Sequence, residues 1–285
     1  MPEVRPFRAL RYEPEVVGDL AAVVSPPSDE IDATRLAELT ARHPKNAVRL
    51  DLPIDQQGDE PDDRYRRTAR TLAAWRSDGT LRKDPRPSLY AYEQLDRASG
   101  SPGEVVRRGF FGRLRLQPPS LGGSDPAASV ILAEPPESAG AGPREERYRL
   151  LRATGVNTSP IVGLFMDPTG AAGRILAKAA RTSPIIDLVD DRGVRHRMWA
   201  LAADGPDAEG VATLIEVVGA GPVTIADRSE PYEAALRYRD ERRMSRSCEE
   251  DPAFDYILTL FVEAPADRAD LTRPLTGLVI NPHEW

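Results

Sequence analysis

The stretch SLYAYEQLDRASGSPGEVVRRGFFGRLRL, residues 88–116, decides the class of fold. Its two ends, 88–95 and 105–116, are rich in the aromatic and β-branched residues that favour strands. The polar, glycine-containing segment between them predicts a turn, so the two strands form a hairpin. A hairpin joins antiparallel neighbours, whereas a doubly wound parallel sheet joins its strands through helices. The stretch therefore argues against a doubly wound sheet.

Outside this hairpin, predicted helices and strands are mixed. The amphipathic stretch 61–79 predicts a helix, and 185–201 predicts a second hairpin that turns at 191–193. Residues 46–53, NAVRLDLP, alternate in polarity and predict a strand, and the apolar run before Pro26-Pro27 predicts another short strand. The fold class is therefore α+β, or mixed α/β, with mixed sheets, hairpins and flanking helices.

Composition divides the chain into three predicted regions. A segment rich in proline, glycine, serine and alanine, 117–143, predicts a long loop. It separates an N-terminal α+β region, 1–116, from a C-terminal α+β region, 144–285.

Bulk charge and hydropathy exclude several classes of function. The net charge of −7 argues against binding to nucleic acid or to anionic membranes. No apolar run approaches the ~18 residues of a membrane span, and the N-terminus lacks the apolar core of a signal peptide, so we expect a cytoplasmic protein. With one cysteine and three scattered histidines, the sequence predicts neither a disulfide framework nor a metal site.

Six stretches together resemble one family. They read PFRALRYEPEVVGDLAAVVSPPSDEI (6–31), HPKNAVRL (43–50), YAYEQ (90–94), RRGFFGRLRL (107–116), GPREERYRLLRATGVNTSPIVGLF (142–165) and YEAALRYRDE (232–241). The set is collinear and is similar to a bacterial and archaeal family, number ten-fifteen in the series of domains of unknown function. Typical members look longer than this chain. If their additional region packs on the body, we expect a homodimer or a protein partner to cover the same surface here.

The hallmark of that family resembles Asp-Gly-His-His-Arg-Tyr-Glu-Ala-Ala at a strand-to-helix turn. It is similar to a turn of the ParB and sulfiredoxin-like superfamily that handles nucleotide phosphates, and some of those proteins are free-serine kinases. The resemblance implies a glycine that lets the backbone approach phosphate, and histidine and arginine that supply charge. In this chain Asp227 and YEAAL (232–236) match, but the four intervening positions read Arg228, Ser229, Glu230 and Pro231.

Two further elements of the family depart in the same way. A Pro-His-Glu element matches Leu132-Ala133-Glu134, which keeps only the glutamate, and a Pro-Thr-His-Arg element matches 274–277, which reads Pro-Leu-Thr-Gly. The histidines of this chain lie elsewhere, and His196, between two arginines of a hairpin strand, is interpreted as a surface or edge residue. A reaction that depends on histidine as a proton carrier could not survive these losses.

Four carboxylates remain as catalytic candidates, and each also has a structural interpretation. Asp227 ends a strand, where it could act as a base or Mg²⁺ ligand or hydrogen-bond the next turn. Glu230 gains from the helix dipole but repels phosphate. Glu233 could pair with a nearby arginine, and Glu134 could be a lid carboxylate or a solvated loop charge.

Five residues are candidates for binding a substrate or nucleotide. Asp29 follows the Pro-Pro turn, and Asn46 and Arg49 alternate on the predicted strand 46–53, where Arg49 could bind a carboxylate or phosphate or form an internal ion pair. The other two, Arg228 and Ser229, lie in the hallmark turn, where Ser229 could instead cap the following helix.

Two functions remain open. The first is a non-catalytic or accessory family member that binds a small molecule or a protein partner and needs no cofactor. The alternative is a nucleotide-dependent phosphotransferase, similar to a free-serine kinase, that uses Mg²⁺ and ATP or ADP. An enzyme should keep a concave pocket where Asp227, Glu134 and Arg49 converge, whereas an accessory protein should have that pocket filled or open.

Overall fold

The structure, a computed structural model, describes residues 1–96, 105–121, 125, 127–133, 141–227, 229–245, 250–264 and 276–282. Within these ranges the helices are α1 (Pro14–Val17), α2 (Leu20–Val23), α3 (Ala33–Arg42), α4 (Val48–Asp51), α5 (Asp63–Ser77), α6 (Ala141–Thr154), α7 (Ala171–Ala179), α8 (Ala208–Gly219) and α9 (Glu230–Ser245). The strands are β1 (Val4–Arg5), β2 (Leu10–Tyr12), β3 (Leu81–Lys83), β4 (Ser88–Asp96), β5 (Val105–Arg115), β6 (Ser120–Leu121), β7 (Val130–Leu132), β8 (Val156–Asn157), β9 (Ile161–Phe165), β10 (Ile186–Val189), β11 (Arg195–Ala202), β12 (Val223–Ile225), β13 (Tyr256–Glu263) and β14 (Asn281–Pro282).

The predicted hairpin of β4 and β5 lies at the centre of the main sheet. The two strands pair antiparallel from Tyr90 opposite Phe111 to Asp96 opposite Val105. On the outer sides of this pair, β11 is antiparallel to β4 and β13 is antiparallel to β5. The described part of the main sheet has ten strands, in the order β10-β11-β4-β5-β13-β9-β12-β7-β6, with β1 also on β5.

The sheet is mixed, which confirms the predicted α+β class. The pairs of β13 with β9 and of β12 with β7 are parallel, whereas the strands from β10 to β13 pair antiparallel along the sheet. Strands from both predicted regions, 1–116 and 144–285, share this sheet, and β6 and β7 lie within the predicted loop 117–143. Within the described ranges, no helix combines the length and apolar character that crossing a membrane requires.

Each face of the sheet supports its own hydrophobic cluster, because alternate residues of a strand point to opposite sides. Phe110 packs with apolar residues of the helices, among them Leu176, Leu214 and Ala235. Phe111 packs on the other face with the N-terminal segment, including Phe7. A third cluster joins α5 to β2 and β3.

Two predicted strands are wrong. Residues 48–51 of the stretch 46–53 form the short helix α4, and residues 20–23 form α2 before the Pro26-Pro27 turn. In the first case, Asn46 Oδ1 accepts a hydrogen bond from the Val48 amide at 3.0 Å, so a local side-chain contact starts a helical turn. The apparent alternation reflects one helical turn with Val48 and Leu50 buried.

His196 is fully buried, so its interpretation as a surface or edge residue is also wrong. β11 lies between β10 and β4, which covers both of its edges. The His196 Nδ1 lies 2.6 Å from the Tyr92 hydroxyl, and Nε2 lies 3.3 Å from the Asp190 carboxylate. The imidazole therefore has a polar partner on each side inside the sheet's core.

The pairing of β5 with β13 requires a glycine at one position. A Cβ atom at Gly109 would lie 2.5 Å from the carbonyl oxygen of Phe261 and 3.2 Å from the side chains of Leu260 and Val262. Because a backbone oxygen cannot rotate away, any side chain at Gly109 forces β5 and β13 apart.

We expect Gly109→Ala to lower the free energy of unfolding by about 1–3 kcal/mol, the usual cost of overpacking a core. Gly173→Ala in α7 is the matched control, because a Cβ there meets no atom within 4 Å. Alanine should stabilise that helix by up to about 1 kcal/mol. Urea denaturation of both variants measures the difference, and equal stability of Gly109→Ala and wild type would contradict the close approach.

Candidate functional site

A cavity of about 300 Å³ opens where the turn after Pro26-Pro27, the end of α4, helix α6 and the start of α9 meet. Ser28 and Asp29 come from the turn, Asp51 from α4, Arg147 from α6 and Glu230 from α9. Most of these residues lie in or next to the stretches that carry the family resemblance. Ser28, Asp29 and Arg147 lie inside such stretches, Asp51 directly follows one, and Glu230 lies two residues before another. Distant parts of the chain therefore build one site, which we call the main cavity.

Asp51 is the centre of the polar wall of the main cavity. Its side chain is only 2% exposed. Oδ1 accepts hydrogen bonds from Thr158 Oγ1 at 2.6 Å, Ser159 Oγ at 2.8 Å and Arg147 Nη1 at 2.9 Å. Burial alone raises the pKa of Asp51, but the charge of Arg147 and these hydrogen bonds outweigh it and hold the pKa below its ordinary value.

Arg147 is fixed on both sides. Besides its contacts with Asp51, its Nη2 donates a hydrogen bond to the Ser28 hydroxyl. The Ser159 hydroxyl in turn lies 3.0 Å from that of Thr276. The guanidinium is consequently held against a buried carboxylate, and its charge is largely neutralised before any ligand enters.

The ionisable lining of the main cavity is mostly acidic. The described part of the lining contains four carboxyl groups and one guanidinium, and Glu146 also pairs with Arg64 at 3.0 Å outside the lining. Apolar side chains such as Tyr65 and Leu150 form much of the remaining wall. Such a lining favours a ligand that donates hydrogen bonds and disfavours a phosphate, which needs positive charge around it.

A smaller cavity of about 40 Å³ shares Arg147, Leu150 and Pro231 with the main one. Its polar lining comes from Asn157, Thr158 and Ser159. Arg147 therefore lines both spaces, and its contacts with Asp51 and Ser28 fix its position beside them.

Asp227 and Ser229, at the turn before α9, make hydrogen bonds within the protein. Asp227 Oδ1 accepts a hydrogen bond from the Val162 amide at 3.0 Å, which ties the turn to β9. The Ser229 carbonyl accepts the Glu233 amide at 3.0 Å, the first bond of α9, so Ser229 stands where a helix cap is expected. Pro231 in the first turn has no N–H to offer a ligand.

The carboxylate of Glu233, in the first turn of α9, pairs with an arginine of α6. Its carboxylate forms an ion pair of 2.6 Å with Arg144 Nε, and its side chain is 17% exposed. Burial raises the pKa of Glu233; Arg144 opposes that shift, whereas the nearby Glu230 charge adds to it. This ion pair joins α9 to α6.

The structure does not bring all predicted binding residues together. Asn46 is fully buried and donates to the carbonyls of Ala22 at 2.8 Å and Val24 at 3.1 Å. Arg49 donates to the Thr40 carbonyl at 2.8 Å and lines a separate cavity beside α5. Of the predicted site residues, Asp29 and Glu230 line the main cavity, and Glu134 and Arg228 lie outside the described residues.

Sequence reasoning missed the polar wall. Asp51 directly follows the family-like stretch 43–50, and Arg147 and Ser159 lie inside another, so position within these stretches was the available signal. The pairing itself spans 96 residues of chain, which no local pattern encodes. Among the described residues, no group of three or more His, Cys, Asp or Glu side chains is arranged to hold a metal ion.

Comparison with known families supports the resemblance seen in the six stretches. A family model described as "Protein of unknown function (DUF1015)" matches residues 4–270. The chain belongs to this family. Neither the curated proteins nor the solved structures gave a match.

Asp51 generates a prediction about acid stability. The pKa of Asp51 is lower in the folded protein than in the unfolded chain, where it is about 3.9. Its contribution to stability is therefore complete above the unfolded-state pKa and is lost as the pH falls through the folded-state pKa. We expect Asp51→Asn to lower the free energy of unfolding at pH 7 by about 3–5 kcal/mol, because Arg147 loses its counter-charge.

The same variant should lose less additional stability than wild type when the pH falls from 5 to 3, as measured by urea denaturation at each pH. The control is Glu15→Gln, an exposed carboxyl group on α1, which should change stability by less than about 0.5 kcal/mol. An Asp51→Asn variant as stable and as acid-sensitive as wild type would show that the buried pair contributes nothing.

Proposed function

We propose that this DUF1015 protein is a non-catalytic or accessory member of its family that binds a small molecule without a phosphate in the main cavity. The observation that carries the proposal is the state of Arg147. Among the described residues of the cavity lining, Arg147 is the one cation; it is already bound by Asp51 and Ser28, and the charged groups beside it are acidic.

The start of α9 supports the same proposal. A helix N-terminus attracts anions through its free amides and the positive end of its dipole. Here Glu230 places a carboxylate at that end, and Pro231 removes an amide donor. Both residues line the main cavity, so the feature that would hold a phosphate faces the ligand space in a form that repels it.

The main cavity is suited to a small ligand. Its volume of about 300 Å³ is at the lower end of the range for small-molecule sites. Carboxylates of Asp29 and Glu230 and the rings of Tyr65 and Pro231 favour a ligand with hydroxyl or amino donors on a compact apolar frame.

The alternative, a phosphotransferase with Mg²⁺ and ATP or ADP, receives less support. Asp227 is hydrogen-bonded to Val162, and Glu233 is paired with Arg144, so two of its carboxylate candidates already have structural roles. Arg49, the third member expected in an enzyme pocket with Asp227, lines a separate cavity. A homodimer or a protein partner remains a prediction from the sequence.

We expect calorimetry with ATP, ADP or CTP plus Mg²⁺ to show no binding in the micromolar range. An assay with free serine and related hydroxy amino acids should show no phosphoryl transfer above background. The reason is the acidic lining together with the loss of the histidine proton carriers, whose help is typically worth about 10²–10⁴ in rate. Nucleotide binding in the micromolar range, or turnover that Asp227→Asn abolishes, would establish the phosphotransferase instead.

A restoring variant sharpens this test. Replacing 228–231 by Gly-His-His-Arg removes the Glu230 charge and the Pro231 ring and returns the family-like residues. If phosphate handling was lost at this turn alone, nucleotide binding should reappear in this variant and not in the single control Glu230→Gln. If both variants stay inactive, the Asp51–Arg147 wall is the further obstacle.

A further inference from the structure

A cavity of about 110 Å³ lies between α3, α4 and α5. Three arginines line it, Arg49 from α4 and Arg64 and Arg67 from α5. Apolar side chains of α3, of α4 and of the segment 52–54 form much of the remaining wall. We call this space the arginine cavity.

Two of its three arginines are compensated by carboxylates. Arg67 donates to the Asp59 carboxylate at 2.7 and 3.1 Å, and also to the Ile54 carbonyl at 2.7 Å. Arg64 forms ion pairs with Asp55 at 3.1 Å and with Glu146 at 3.0 Å. These two guanidinium groups are therefore held in place and have their counter-charges.

Arg49 has no such partner among the described residues. Its Nη2 donates to the Thr40 carbonyl at 2.8 Å, which is a neutral acceptor. Within the described ranges, Arg49 forms no ion pair, and its Nε is buried without a hydrogen-bond partner. An arginine that is half-buried on a cavity and lacks a counter-charge is unfavourable unless something else supplies that charge.

The hydroxyl of Thr40 lines the same cavity and is also unsatisfied. Its Oγ1 is buried and makes no hydrogen bond to the described part of the chain. By contrast, the hydroxyls of Thr68 and Thr71 in the same lining donate to the carbonyls of Arg64 and Arg67, at 3.1 and 3.0 Å. Because buried polar groups ordinarily have partners, two neighbouring donors without an acceptor indicate a place for one.

We propose that the arginine cavity binds a short aliphatic carboxylate, held by Arg49 and Thr40. One carboxylate group supplies the single negative charge that Arg49 lacks, matches its planar fork and can accept the Thr40 hydroxyl. The hydrocarbon part of the ligand packs against apolar residues of the wall, such as Leu36, Val48 and Pro53. Inorganic phosphate fits less well, because it has no apolar part and its second charge has no free cation to meet.

This site is distinct from the main cavity. The two spaces share Leu52 and Pro53, but Arg49 and Thr40 line the arginine cavity and not the main one. The proposal therefore holds whatever ligand occupies the main cavity.

Thermal unfolding of the full chain with sodium butyrate tests the site. A ligand of this size held by one charged pair should bind with a Kd of about 1 mM or below. At about 10 mM, butyrate should therefore raise the Tm of wild type by about 2–4 °C relative to sodium chloride at equal ionic strength.

Two variants remove the proposed donors. Arg49→Met should weaken butyrate binding by about 10–100-fold, and Thr40→Val by about tenfold, so that each loses most of the Tm shift. The matched controls should keep the full shift. They are Arg66→Met, an exposed arginine of α5, and Thr213→Val, whose hydroxyl donates to the Glu209 carbonyl within α8.

Without butyrate, Thr40→Val should unfold at a Tm no lower than that of wild type, because the hydroxyl that it removes has no partner. This second readout distinguishes loss of the binding site from loss of the fold. Butyrate that stabilises no more than chloride, or a shift that survives in both Arg49→Met and Thr40→Val, would overturn the proposal. Stabilisation by inorganic phosphate but not by butyrate would also overturn it, in favour of a phosphate site.

Discussion

The buried pair of Asp51 and Arg147 is the interaction on which the candidate site depends. Taking two charges out of water costs several kcal/mol for each ion, and attraction offsets this only when the remaining polar atoms are also satisfied. Thr158, Ser159 and Ser28 supply those hydrogen bonds. The pair therefore requires α4, α6, the connection from β8 to β9 and the turn after Pro26-Pro27 to meet in one arrangement.

The main cavity is lined by acidic groups around a cation that already has a partner within the described residues. Arg147 is paired with Asp51, and Glu230 lines the same cavity, so the start of α9 presents negative charge where a helix N-terminus otherwise attracts an anion.

Much of the fold was predictable from local sequence, because the β4–β5 hairpin and the long helices have strong patterns. The predictions failed where a short side-chain contact decided the backbone, as at Asn46 and α4, or where distant strands covered a polar residue, as at His196. The site was harder still. Asp29 and Glu230 could be predicted from their positions beside turns. Arg147 is one of several arginines on α6, and only its contact with Asp51, 96 residues away in sequence, distinguishes it from the others.

A double-mutant cycle on Asp51→Asn and Arg147→Met tests most directly whether this pair organises the site. Unfolding free energies of wild type, both single variants and the double variant give the coupling energy between the two side chains. We predict a coupling of about 2–3 kcal/mol, with the double variant more stable than the sum of the single losses implies, because neither charge is then left buried alone. Losses that add to within about 0.5 kcal/mol would contradict the central role of the pair.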